Sequence, residues 1–183
     1  MNDNIKKLHS AAYTGDLRTV IQLLKNEIDI INAQNSKGYT VLMATLLGDG
    51  NKKRKGEILD YLLCSDANVN AFTKDGDSVL HIAVKASMTK VMSTRFVEML
   101  LEHGADHTLK NNLGQTASQL AFQLGNAKLG EYLIFYEPTP TPEKKKSDKG
   151  MMDVLCERFC HTYSFHKQIE EDIATLMVKK KET

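Results

Sequence analysis

The chain has 183 residues, 42% of them hydrophobic, with 24 Lys and Arg against 23 Asp and Glu and a formal net charge of +1. That length and apolar content suffice for one domain with its own core plus an appendage, without help from metal or disulfides. The near-neutral balance excludes a global field that would draw the chain to nucleic acid or anionic lipid, so any charge-based partner must be found by a local patch.

In chain order, Met1 to Lys7 is polar and charged and lacks the apolar core of a secretory signal. No later run approaches the ~18 apolar residues of a membrane-spanning helix. Cys64, Cys156 and Cys160 are an odd set and suit a reducing compartment. These features predict a soluble intracellular protein, cytoplasmic, with the nucleus as the alternative. A motif then begins to repeat. The first unit opens with Leu8-His9-Ser10-Ala11-Ala12 and continues through Val20 to Leu24. The second places Gly38 and Thr40 before Leu42-Met43-Ala44-Thr45, then Ile58 to Leu63, and closes on Ala67-Asn68-Val69-Asn70. The third runs from Gly76 and Ser78 through Leu80-His81-Ile82-Ala83 and Val97 to Leu101, ending at Gly104-Ala105-Asp106. The fourth, fainter, has Gly114 and Thr116 before Ser118-Gln119-Leu120-Ala121.

Apolar residues at spacings of three and four give each unit two short helices with one narrow buried stripe apiece, so that neighbouring units must stack to bury them. Thr40, Ser78 and Thr116 stand where a hydroxyl can accept from an orphan N–H at a helix start. Gly104 is placed to end a second helix in the left-handed conformation, and Gly38, Gly76 and Gly114 sit in polar tips where a tight turn calls for positive φ. Alanines in the first helices permit close helix approach.

These motifs resemble the ankyrin repeat, whose signature is Thr-Pro-Leu-His-x-Ala within ~33 residues. The resemblance covers residues 4–136 and implies an all-α solenoid of about four helix-turn-helix units. Lys7, Val41, Val79 and Ala117 replace the proline of the signature, and only the third unit keeps both Ser78 and His81. Ile28 stands where glycine is usual, so Asn26 is expected to end that helix instead. Gly38 to Gly76 and Gly76 to Gly114 are both 38 residues. The excess over the family period is expected between the two helices of each unit, around Gly48 to Gly56 and Ala86 to Thr94.

All three prolines fall between Glu137 and Glu143, before the lysines of 144–149, which marks 137–150 as an extended linker. From 151 to 180 an amphipathic C-terminal helix is expected, with Met152, Leu155, Phe159, Ile169, Ile173 and Leu176 on one face. Folding back on the repeats, weak self-association and docking to a partner are the alternatives for covering it.

Cys156, Cys160, His161 and His166 are the sole group suggesting a metal. On one helix His161 points ~100° away from Cys160, and the spacing lacks the turns that zinc ligand pairs use, so no metal is expected. His9 and His81 belong to the repeat, and His103 and His107 flank the Gly104 turn. Gly48-Asp49-Gly50 lacks the Lys-Ser pair of a phosphate loop. Neither enzymatic activity nor a cofactor is expected, and nucleic-acid binding would need a wider basic footprint with interleaved aromatics. The run Lys52-Lys53-Arg54-Lys55 reads first as a solvated loop. Together with Lys90 and Arg95, however, it could form a basic rim attractive to an acidic segment.

The resemblance implies a protein-interaction adaptor or scaffold whose partner binds a concave face. On this chain that face comprises the finger positions Ser36, Lys37, Tyr39, Lys74, Asp75, Asp77, Asn112, Leu113 and Gln115. It also takes in the helical positions Tyr13, Thr14, Leu47, Lys85, Ala86, Gln123 and Leu124. Tyr13 and Tyr39 are its expected anchors. The alternative is a structural or regulatory protein that dimerises or docks through the C-terminal helix. The extended linker makes limited proteolysis begin at the lysines of 144–149. First cuts within the repeats, seen by mass spectrometry of early fragments, would refute that assignment.

Overall fold

The computed structural model describes residues 3–88 and 94–137. Among them are eight α-helices in four pairs: α1 (Asp3–Thr14) with α2 (Leu17–Asn26), α3 (Val41–Leu47) with α4 (Lys52–Cys64), α5 (Val79–Ser87) with α6 (Thr94–Glu102), and α7 (Ala117–Gln123) with α8 (Ala127–Ile134). The described residues contain no strand, in keeping with the all-α expectation. The linker from Pro138 onward, the helix expected over 151–180 and Lys90 lie outside the described residues.

The two helices of each pair pack on one another. The first helices also form a layer, α1 on α3, α3 on α5 and α5 on α7, while α2 packs on α4 and α4 on α6 in a second layer. The apolar stripes account for this arrangement. Leu8, Leu42, Leu80, Val20, Ile58, Leu62, Val97 and Leu100 are all buried between pairs, and burying each such side chain contributes about 1.5–3 kcal/mol. Ala11, Thr45, Ala83 and Ala121 hold one position in the four first helices and are all buried. A small side chain there lets the backbones approach, and the Thr45 hydroxyl is satisfied within its own helix by donating to the Val41 carbonyl (3.0 Å).

Helix starts follow the expected caps. Thr40 accepts from Met43 N and Thr116 from Gln119 N, each at 3.4 Å. Gln119 in turn accepts from Thr116 N (2.9 Å), completing a reciprocal box. Helix α2 stops at Asn26, as expected, and Ile28 opens a short 3-10 turn, Ile28–Asn32, in place of a left-handed stop.

The extra residues of the second unit are a correction. They do not enlarge a loop, because the connection between α3 and α4 is only 48–51 and Lys52 to Gly56 are the opening turns of a 13-residue helix. Gly48 and Gly50 are explained by packing: a Cβ at either would collide with the backbone of Tyr13 to Gly15 at the end of α1.

Between units the chain makes fingers, and each is built by one side chain. Asn35 Oδ1 accepts from Lys37 N (2.9 Å) and Tyr39 N (3.0 Å), Thr73 Oγ1 from Asp77 N (3.2 Å), and Asn111 Oδ1 from Leu113 N (3.0 Å) and Gln115 N (3.1 Å). The fingers turn through Gly38, Gly76 and Gly114 at φ of 82°, 76° and 72°, and they abut: a Cβ on Gly76 would overlap Asn112 of the next finger, whereas one on Gly114 would meet nothing within 4 Å. Both Gly→Ala substitutions therefore carry a conformational cost of about 1–2 kcal/mol. Gly76→Ala should lose about 1 kcal/mol more through overpacking. Urea denaturation of the two variants measures the difference, and equal losses would mean that the fingers do not constrain one another.

Candidate protein-binding surface

The first helices end in a row. Tyr13, Leu47, Lys85 and Gln123 occupy one position in α1, α3, α5 and α7, and all four side chains are exposed. In front of the row stand the finger residues Tyr39, Asp77 and Gln115. Two contacts fix how finger and helix meet. Lys85 donates to Asp77 Oδ2 in an ion pair, and Gln115 Nε2 donates to Gln123 Oε1 at 2.9 Å. The same register relates Tyr39 to Leu47. The third unit thus presents an ionic finger–helix couple and the fourth an amide one, and apolar Tyr39 and Leu47 hold the corresponding positions of the second.

Most of the residues assigned to this face are accessible: Tyr13, Thr14, Ser36, Lys37, Leu47, Lys74, Asp75, Lys85, Asn112, Leu113 and Gln123 are exposed, and Tyr39, Gln115 and Leu124 are half-buried. Leu113, at 80% exposure, is the barest apolar side chain of the fingers. Two assignments are corrected. Ala86 is buried. Asp77 is also buried, because its carboxylate works inward: Oδ1 accepts from Asn111 Nδ2 (3.2 Å) of the next finger while Oδ2 holds Lys85. Thr14 is exposed, but its hydroxyl donates to the Ser10 carbonyl (3.0 Å) of its own helix.

The proposed basic rim also changes. Lys55 is not solvated: it is 1% exposed, and its ammonium donates to the carbonyls of Leu46 (3.2 Å) and Gly48 (2.6 Å), covering the orphan acceptors at the end of α3. Burial holds its pKa below the ordinary lysine value, with Asp49 opposing the shift. Arg95 is engaged by Glu98 (3.4 Å) and Glu102 (3.2 Å) of its own helix. Lys52, Lys53 and Arg54 remain exposed, and so does Arg95 beside its two glutamates.

Polar links between units hold the face in place. His81 Nδ1 accepts from Ser78 N (3.3 Å), so the ring proton is on Nε2, which donates to the Gln115 carbonyl (2.8 Å) of the following finger. His9 Nε2 donates likewise to the Ala33 carbonyl (3.1 Å). On the side away from the fingertips, Asn32 Oδ1 accepts from Asn68 N and Asn70 Oδ1 from Asp106 N, both at 2.8 Å. Sequence reading missed the finger-building trio Asn35, Thr73 and Asn111 and the bridging pair Asn32 and Asn70. The signal was present, since each set recurs at the 38-residue interval already evident in the glycines. His103, just past the end of α6, bonds through Nδ1 to Met99 O (2.8 Å), and His107 packs edge-on to Tyr136.

No group of three or more potential metal ligands occurs among the described residues, and Cys156, Cys160, His161 and His166 lie outside them. No described helix is long and apolar enough to cross a membrane.

The sequence matches the family model described as "Ankyrin repeats (3 copies)" over residues 8–93 and 50–146. It is 30% identical over 139 residues to an ankyrin repeat protein of Rickettsia felis, covering 75% of this chain and 60% of that protein. The human BCL-6 corepressor-like protein 1 is 32% identical over 114 residues, which are 62% of this chain and 6% of that protein. Alpha-latroinsectotoxin-Lt1a of Latrodectus tredecimguttatus is 31% identical over 83 residues, 45% of this chain and 6% of the toxin. The chain therefore spans less than two thirds of the length of these relatives.

The buried histidines give stability a definite pH dependence. Burial lowers the pKa of both His9 and His81, outweighing the carbonyl bonds that raise them, and a proton added to His81 Nδ1 would confront the Ser78 N–H donor. The folded state therefore binds fewer protons than the unfolded state below about pH 6.5. The stabilisation is complete above that value and is lost as pH falls through the lowered folded pKa, by up to about 1.4 kcal/mol per site per pH unit. Urea midpoints between pH 7.5 and 5.5 should fall for the native chain and fall less for His9→Gln/His81→Gln. An identical slope in the double variant would assign the dependence to other groups.

Proposed function

Because the chain belongs to the ankyrin-repeat family, whose repeats are a general protein-interaction module, we propose that it is an adaptor that binds a protein partner through its finger face. One observation carries this reading. Tyr13 and Leu47, at 44% and 37% exposure, stand uncovered at matching positions of adjacent units, with half-buried Tyr39 in the finger before them. The sequence puts small or apolar residues inside every first helix, yet leaves an aromatic and an aliphatic side chain on the row that faces the fingers. Rigid aromatic side chains of this kind yield large contact area for little lost entropy and are enriched among residues that dominate binding energy.

The surroundings favour recognition over chemistry. The best-defined polar groups of the face, Asp77 with Lys85 and Gln115 with Gln123, are joined in pairs that hold fingers against helices. His81 is committed on both ring nitrogens. The ankyrin family is typically non-catalytic, which agrees with this use of its polar side chains. The face is also preorganised, since the second and third fingers are each tied to a helix and successive fingers are tied to one another, so a partner need not meet the cost of ordering loops.

A photo-crosslinking amino acid placed at Leu47, and separately at exposed Gln22 on the second-helix layer, tests the assignment in lysate of the source organism. Discrete adducts are expected from position 47 and not from 22. Tyr13→Ala and Tyr39→Ala, each confirmed as folded by circular dichroism, should weaken them roughly tenfold, as loss of a dominant contact does. Adducts that survive both substitutions, or that arise only from position 22, would remove the finger face as the site.

A further inference from the structure

The row of couples has a chemical order as well as a position. Going from the first unit to the fourth, the helical residues are aromatic (Tyr13), aliphatic (Leu47), cationic (Lys85) and amide (Gln123), and the finger residues beside the last three are Tyr39, Asp77 and Gln115. In the third unit the carboxylate is buried and turned toward Asn111, with a side chain only 7% exposed, while the Lys85 side chain in front of it is 44% exposed. The pair is neutral in sum, but its outward pole is an ammonium with N–H donors to spare. In the fourth unit Gln123 uses its oxygen to accept from Gln115, which leaves its own amide N–H donors for another acceptor. The row of couples is therefore apolar at one end and donor-bearing at the other.

Its spacing is set by the helix layer. Each of α1, α3, α5 and α7 packs directly on the next, and helices in such contact lie roughly 8–10 Å apart. An extended chain advances about 3.3 Å per residue. One unit therefore corresponds to about three residues of an extended segment laid across the helices. Leu47, Lys85 and Gln123 would face residues three apart.

We propose that the finger face accepts an extended segment of a partner protein in which three kinds of residue follow at intervals of three. The first is aliphatic or aromatic and sits against Leu47 between Tyr13 and Tyr39. The second is a carboxylate at Lys85, and the third is a hydrogen-bond acceptor at Gln123. This deepens the proposed function and rests on its choice of face. The charge pattern argues for the occupant: a basic segment would set a cation against the exposed ammonium, and a wholly apolar one would strand the donors of Lys85 and Gln123 without acceptors, which is costly once water is excluded.

The test uses the whole 183-residue chain and fluorescence polarisation with synthetic nonapeptides in a Ser/Ala background. They carry Phe or Leu, Glu and Asn at intervals of three, in both chain directions, beside controls at intervals of two and four. The interval of three should bind best, and Tyr13→Ala should weaken it by about tenfold. Lys85→Glu should turn the preference at the middle position from Glu to Lys. Lys85→Met, which keeps the aliphatic stem and adds no repulsion toward Asp77, should abolish the preference without reversing it. If Tyr13→Ala weakens binding but both Lys85 variants still prefer Glu, or if all intervals bind alike, the register is overturned and the face stands. Binding untouched by every substitution overturns both. Failure of all peptides to bind overturns the extended segment, leaving the face to be judged by its crosslinks.

Discussion

The structure depends on a shortage of apolar surface within each helix pair. A first helix of seven to twelve residues and its partner carry a stripe that cannot be closed by two helices alone, so Leu42 or Leu80 becomes buried only when the neighbouring units are in place. Stability is then held at the interfaces between units rather than inside them. The stripe is narrow and the helices are short, so sliding one unit along the next by a residue would turn leucines to water. Register is fixed by hydrophobic burial first and by polar links second.

The polar links decide what the register is used for. His81 reaching the Gln115 carbonyl, Asn111 reaching Asp77, and Asn32 and Asn70 accepting from the following units all cross an interface. Each binds a connection that would otherwise be free to move. A buried hydrogen bond of this sort adds only about 1 kcal/mol, less than a buried leucine, yet its direction makes it more selective. The links therefore convert a stack of helices into a surface with defined side-chain positions. Lys55 serves the same end from within a unit: its ammonium covers the carbonyls at the close of α3, immediately beside exposed Leu47.

Much of this was legible in the order of residues. The helix pairs, the hydroxyl caps of Thr40 and Thr116, the left-handed glycines and the end of α2 at Asn26 follow from local stereochemistry, and local stereochemistry is written in adjacent residues. Lys55 was not legible as a buried group. In the string it is one of four cations, and what distinguishes it from Lys52, Lys53 and Arg54 is the angle at which α4 leaves the short turn at 48–51. Asp77 misled for a similar reason, since a fingertip carboxylate looks solvated until Asn111 and Lys85 are brought to it.

Sequence by itself determined the repeat, its period, the all-helical class and the set of positions from which a binding face could be made, because stripes, caps and turns depend on residues a few places apart. Tertiary structure alone decided which of those positions face outward. Whether a lysine caps a helix or meets solvent, and whether an aspartate binds a partner or the next finger, depends on groups 7 to 34 residues away that only packing brings within hydrogen-bonding distance. Interactions of that reach are set by the angle between helices, which no short window of residues contains.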